Sequence, residues 1–219
     1  MTKEEYLQDP CGAASIPYWK IQRFPVPAGI WIVHDREFRH AFLEYACDVP
    51  YFRLKHDLQD LEPVTLPDCF AWYSASCAEY AAHINSCYGT DCVSEDSLRD
   101  YTAREVYCPK LWIVVRDSRA GEIAASGIAE VDREIGECAL EWIQVSPEYR
   151  GQGLGSCVVR ELLWRAKTLA RFATVSGQCE NPANPERLYR RCGFTGTDLW
   201  HVLTIKTEKD HTACETADK

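Results

Sequence analysis

The sequence has no apolar run approaching a membrane span. Its longest, such as Leu111–Val115, are far short of the roughly 20 residues a helix needs to cross a bilayer. Basic charge is also scarce: 24 Lys plus Arg against 33 Asp plus Glu gives a formal net charge of −9. That disfavours a general nucleic-acid binder, which needs a basic footprint, and there is no polybasic tract for an anionic membrane surface. Paired-cysteine spacing is missing as well. Of 12 cysteines no two form C-x-x-C, and the closest, Cys87 and Cys92, are five apart, so no metal site is predicted. These thiols read mostly as small buried hydrophobes. Met1–Pro10 lacks an apolar signal core and carries acid where a signal peptide carries base, which predicts a cytoplasmic chain with reduced thiols. What is present, 46% hydrophobic and 26% charged residues over 219 positions, suits a soluble domain with a core that needs no covalent staples.

The hydrophobic pattern predicts a short helix opened by a capping box at Thr2–Glu5 and closed by Pro10. An extended, proline-rich arm over 11–30 follows, then short strands at Ile30–His34 and Tyr51–His56. A helix is expected from Pro67 to Tyr88, with Asp68 as N-cap and Gly89 as the stop, and another from Ser94 to about Val106. Strands at Leu111–Arg116, Ile123–Val131 and Cys138–Val145 make an antiparallel meander. A glycine-rich loop, a helix to about Ala170, a strand Ala173–Cys179, a helix ending near Cys192 and a strand Leu199–Ile205 complete the chain. The class is mixed α/β or α+β, with residues 1–50 as an N-terminal extension, 51–206 as one catalytic domain and 207–219 as a polar tail.

The most informative segment is Val145-Ser-Pro-Glu-Tyr-Arg-Gly-Gln-Gly-Leu-Gly155, between a strand and an amphipathic helix. Glycines let backbone N–H groups turn toward an anion, the helix N-terminus adds about half a positive charge, and Arg150 adds a guanidinium fork. These parts suit a pyrophosphate. No Walker A loop exists, and Gly151, Gly153 and Gly155 fall as G-x-G-x-G with Ser156 next, which is not the dinucleotide fingerprint. The bland alternative is a turn that only joins strand to helix.

Arg150, Gly153 and Gly155 fill the Q/R-x-x-G-x-G/A signature of the GNAT superfamily of N-acetyltransferases, which the segment resembles. Leu188-Tyr-Arg-Arg-Cys-Gly-Phe194 is similar to the family's L-Y-x-x-x-G-F helix end, in the expected order. The resemblance, over about residues 51 to 206, implies a central mixed, mostly antiparallel sheet flanked by helices. It also implies transfer of an acetyl group from acetyl-CoA to a primary amine by direct attack in a ternary complex. The backbone of Arg150, Gly151, Gln152, Gly153, Leu154, Gly155 and Ser156 would hold the pyrophosphate, and Ile143, Gln144 and Val145 the pantetheine arm. Tyr189 matches the general acid toward the CoA sulfur; otherwise it is an aromatic packed beneath the cofactor. Glu141 stands where some members place a water-linked base, and period two puts it on the side of Ile143 and Val145; otherwise it is a solvated strand residue or an arginine's partner. Asn181 and Asn184 stand near the family's cofactor-contacting Asn, at eight and five residues before Tyr189 rather than seven, and Asn184–Pro185 is equally a helix cap.

His201 on the last strand reads as a hydrogen-bonded structural residue rather than an acceptor contact. A non-catalytic acyl-CoA binding or sensing module would keep the loop without needing Tyr189, and a longer acyl donor would change only the pocket. The acceptor is not written in any motif, although the negative charge favours a cationic amine. Family members often form dimers.

Overall fold

A computed structural model describes residues 1–206, so the predicted tail lies outside the described residues. The chain divides into two compact units: Met1–Leu54, Ser176–Glu186 and the chain from Gly196 in one, Lys55–Val175 and Arg187–Thr195 in the other.

The first unit carries helices α1 (Lys3–Gln8) and α2 (Tyr18–Arg23), with strands β1 (Ile30–His34), most of β2 (Ala46–His56) and most of β8 (Thr195–Ile205), ordered β1-β8-β2. Thr2 and Glu5 form the predicted capping box of α1. Residues 11–30 are not a plain extended arm: Pro17 leads into α2, and Phe24–Pro25 ends it, because the residue before a proline avoids helical backbone. Arg53 is 1% exposed and donates to the carbonyls of Pro10 and Ser15, to Ser176 Oγ and to Tyr6 Oη, at 2.8–3.3 Å. The N-terminal segment is thereby tied to β2.

The second unit holds β3 (Phe70–Tyr73), α3 (Cys77–Tyr88), α4 (Glu95–Thr102), β4 (Trp112–Asp117), β5 (Ile123–Asp132), β6 (Glu137–Val145), α5 (Leu154–Ala166), most of β7 (Phe172–Gln178) and most of α6 (Pro185–Arg191). Its strand order is β7-β6-β5-β4-β3: the predicted meander is there, extended by an antiparallel edge strand, with β7 parallel to β6. The expected helix from Pro67 is two elements. Phe-Ala-Trp-Tyr pairs with β4, as aromatic residues favour a pleated surface, and the helix starts only at Ser76, whose capping box with Glu79 replaces the predicted Asp68 cap. Gly89 ends α3 in the left-handed conformation, as predicted.

Strand β5 is buried on both faces. Ile128 joins Tyr80, Ala81 and Ile84 of α3 in one core, whereas a side chain at Gly127 would run into Val158 and Leu162 of α5. Alternation along β5 thus places α3 on one face and α5 on the other. The eight strands, mostly antiparallel and flanked by helices, bear out the predicted class.

All eleven cysteines among the described residues are free. Only Cys11, Cys108, Cys138 and Cys192 are buried, and Cys47, Cys92 and Cys179 are exposed, so the reading of them as mostly core holds for a minority. No helix among the described residues is long and apolar enough to cross a membrane.

Candidate functional site

Strand β6 supplies the first part of the site. Its pairing with β5 shifts register between Gly127↔Ile143 and Ala129↔Leu140, so one extra residue bulges from β6 at Glu141–Trp142. The bulge breaks the alternation that would align Glu141 with Ile143 and Val145, so that part of the sequence reading is corrected. Parallel pairing with β7 runs from Glu137↔Phe172 to Leu140↔Val175, and β6 continues along β5 to Val145. Glu141, Ile143 and Val145 are half-buried, and Gln144 is buried.

After Val145 the chain makes a 3-10 turn, Pro147–Tyr149, and then the glycine loop. The turn is fastened on several sides. Ser146 N–H donates to the Ala124 carbonyl at 3.0 Å, and Tyr149 Oη donates to Asp117 Oδ2 at 3.2 Å. Arg150 is exposed, and its Nε donates to the Val145 carbonyl at 3.3 Å. Gly151 and Gly153 have φ of 80° and 82°, and a Cβ on either would meet no atom within 4 Å. Left-handed backbone is what glycine tolerates and other residues resist. Gly155 serves close packing instead: a Cβ there would lie 3.3 Å from Leu188 and 3.5 Å from Val145.

Helix α5 has Gly153 as N-cap and no capping side chain, and its first internal backbone bond is Cys157 N–H to the Gly153 carbonyl. Among the described residues, the amides of Gly151, Gln152, Gly153, Leu154, Gly155 and Ser156 have no acceptor in the chain. Six successive N–H groups at the positive end of a 13-residue helix make a cradle of the kind that suits an anion.

Behind the turn lies a buried polar chain that sequence reasoning missed. His83, 6% exposed on α3, has Nδ1 2.8 Å from Ser126 Oγ and Nε2 3.0 Å from Ser146 Oγ. Ser146 Oγ donates to the Ile123 carbonyl at 2.9 Å, so it must accept from His83, and Nε2 carries the proton. Ser126 Oγ then donates to Nδ1 and accepts from Gln144 Nε2. The imidazole is held neutral, since burial drops its pKa to about 4. Cys87 Sγ lies 3.5 Å from Nε2, and burial pushes its thiol up. The available signal was a histidine one turn before a cysteine on the apolar face of a helix (Tyr80, Ala81, Ile84), which does not by itself announce a partner.

Tyr189 on α6 is 5% exposed, with its ring centroid 5.7 Å from Phe194. Burial, then Tyr88, Cys192 and Glu141, push its phenol above the usual range. Those causes place Glu141 and Tyr88 in its electrostatic neighbourhood. Tyr88, at the end of α3, packs edge-on against Trp142 of the bulge at 5.8 Å. The structure therefore gathers Glu141, Ile143–Val145, Arg150–Ser156 and Tyr189 in one unit. Asn181 and Asn184 belong to the other; Asn181 Oδ1 accepts from Ala183 N–H, and Asn184 has a left-handed φ of 46°. His201 is structural, as expected, with Nδ1 2.7 Å from Asp48 and its ring stacked on Phe38.

A sequence model of the acetyltransferase (GNAT) domain matches residues 109–196, which span the meander, the loop, α5 and α6. Among solved structures, a GCN5-related N-acetyltransferase from Sphaerobacter thermophilus aligns over 91% of this chain with a TM-score of 0.64 at 17% identity. A GNAT-family acetyltransferase from Colwellia psychrerythraea aligns over 80% with a TM-score of 0.56 at 18% identity. The chain covers 64% of the length of each. Ard1 from Thermoplasma volcanium is covered over 99% of its length by 64% of this chain, with a TM-score of 0.50 at 15% identity. No curated protein sequence matches the chain. The chain thus matches the acetyltransferase (GNAT) domain model over residues 109–196 and shares the fold of these solved structures.

Proposed function

We propose that the protein is an acetyl-CoA-dependent N-acetyltransferase acting on a primary amine, with residues 51–206 as its acetyltransferase domain. The observation that carries this reading is the run of six unbonded amides at Gly151–Ser156, in a loop whose two left-handed glycines leave open space around them. That cradle fits a pyrophosphate, with Arg150 as the mobile cation beside it. Acetyl-CoA, when bound, supplies the activated thioester.

The chain's own groups do the rest. The backbone of Ile143, Gln144 and Val145 lies along the pantetheine arm; the Gln144 side chain is committed to Ser126 and takes no part. Tyr189 keeps its proton throughout the working pH range and presents it to the departing sulfur. Glu141, at the bulge, removes the proton that the amine must lose, through a water. Attack is direct, in a ternary complex. The excess negative charge raises the local concentration of cationic amines, which favours an acceptor protonated in solution.

The test is a calorimetric titration of the folded protein with acetyl-CoA, with CoA, ATP and NAD as comparison ligands. Selective micromolar binding of the CoA compounds, followed by acetylation in an amine screen, is the expected result. Binding of none of them would sink the reading, and binding without turnover on any amine would favour an acyl-CoA sensor.

A further inference from the structure

We infer that His83 is a positioning residue for the phosphate-binding loop: its neutral imidazole clamps Ser146, the residue from which the loop turns, to Ser126 in the middle of the sheet. The inference rests on the acetyl-CoA reading above and deepens it.

Ser146 is the junction between β6 and the turn Pro147–Tyr149, and its carbonyl accepts the N–H of Tyr149 at 2.9 Å. Every polar atom of Ser146 is therefore used: the amide on Ala124, the carbonyl on Tyr149, and the hydroxyl on both Ile123 and His83. Three of these bonds are local to the sheet edge and the turn. The fourth comes from α3, packed on the opposite face of β5 from α5, and it ties the hydroxyl to an element outside the sheet. His83 also reaches β6 a second way, through Ser126 to Gln144. The strand residue and the turn residue flanking Val145 are thus held by one ring, and Val145 is where Arg150 docks. Nothing in this chain of groups touches the loop amides themselves. Its effect is to keep their origin in place, and preorganisation of a backbone cradle shows in ligand affinity rather than in the chemical step.

The Ile123 carbonyl can only accept, so Ser146 donates to it and accepts the Nε2 proton of His83. An aromatic ring without nitrogens fills the same space and breaks both links.

The experiment compares wild type, His83→Phe, His83→Gln and Ser146→Ala, with the double variant H83F/S146A, measuring acetyl-CoA Kd by calorimetry, kcat at saturating acetyl-CoA, and Tm. His83→Phe and Ser146→Ala are each expected to raise Kd about tenfold, the effect of losing one or two well-placed hydrogen bonds, with kcat within about twofold. The double variant is expected to be no worse than either single one, since both cut the same link. His83→Gln, which keeps a donor for Ser146, is expected to recover most of the affinity. If His83→Phe does not fold, Ser146→Ala carries the test. Wild-type Kd in a folded Ser146→Ala or His83→Phe overturns the positioning role while leaving the acetyltransferase reading intact. Additive losses in the double variant, or a lowered Tm with unchanged Kd, also overturn it and make His83 a packing residue. A wild-type protein that binds no CoA compound removes both.

Discussion

His83 Nε2 lies 3.0 Å from Ser146 Oγ, which joins the second turn of α3 to the end of β6 across 63 residues of sequence. Nε2 donates this bond, while the unprotonated Nδ1 accepts from Ser126, and it is that second bond which protonation of the ring would break. Burial lowers the pKa of His83 from 6.5 to about 4, against a smaller opposing pull from Glu148. An unfolded chain takes up this proton near pH 6.5 and the native one near 4. Between those values the unfolded state binds more protons, so stability falls as pH falls. The contribution is fully present above about pH 6.5 and amounts to about 3 kcal/mol lost by pH 4. Urea unfolding at a series of pH values checks this, with His83→Phe as the comparison. The variant's profile should be flatter between pH 6.5 and 4, and parallel profiles would refute the assignment.

Gly127 marks where α5 presses hardest on the sheet. A Cβ there would lie 2.5 Å from Val158 Cγ1, 3.0 Å from Leu162 Cδ1 and 3.2 Å from Ile143 Cδ1. Alanine in a strand is otherwise better than glycine by roughly 0.5–1 kcal/mol, through the entropy of the unfolded chain. Overpacking in a dense core costs about 1–3 kcal/mol and prevails here because the two nearest crowding atoms belong to the fully buried Val158 and Leu162. Gly127→Ala should therefore lower the urea midpoint with an unchanged m-value. An unchanged or raised midpoint would mean that α5 moves away at little cost.

The parts of this molecule that were legible in the sequence are those whose cause is local. The meander from Trp112 to Val145 shows short apolar runs parted by turn residues, and the α5 stripe follows directly from the glycine loop. Thr2 announces its helix by a capping box and Ser94 by its place as N-cap. Phe70–Tyr73 misled because Phe-Ala-Trp-Tyr abuts an alanine-rich helix, and only its pairing with β4 makes it a strand. The bulge at Glu141–Trp142 has no glycine or proline to flag it and appears only in the register against β5. His83, Ser126, Gln144 and Ser146 come from three elements, and no spacing rule brings them together.

Gly153 separates backbone from ligand effects. Its φ of 82° charges a side chain about 1–2 kcal/mol for left-handed backbone, yet a methyl group there touches nothing in the protein. Gly153→Ala should lower Tm by only a few degrees, while acetyl-CoA binding weakens further than that strain accounts for, since the methyl enters the space the pyrophosphate is proposed to use. Calorimetric titration beside a thermal melt reads both quantities. An affinity loss no larger than the stability loss would place the ligand elsewhere.

Tyr189 decides between chemistry and packing. Its ring is buried against Phe194, and its phenol, raised by burial, holds its proton at any pH where an amine acceptor can be neutral enough to attack. Phenylalanine preserves the ring contact and deletes only the hydroxyl. If that hydroxyl protonates the departing sulfur, Tyr189→Phe should cut kcat by about 10²- to 10⁴-fold, the usual range for a positioned acid, with acetyl-CoA affinity nearly unchanged. If it only packs, turnover survives and the melt alone registers the change. A donor whose thiol product is more acidic distinguishes the two further. A better leaving group needs less help from a proton, so the deficit of Tyr189→Phe should shrink with such a donor if the acid role is real and stay constant if the hydroxyl merely shapes the pocket.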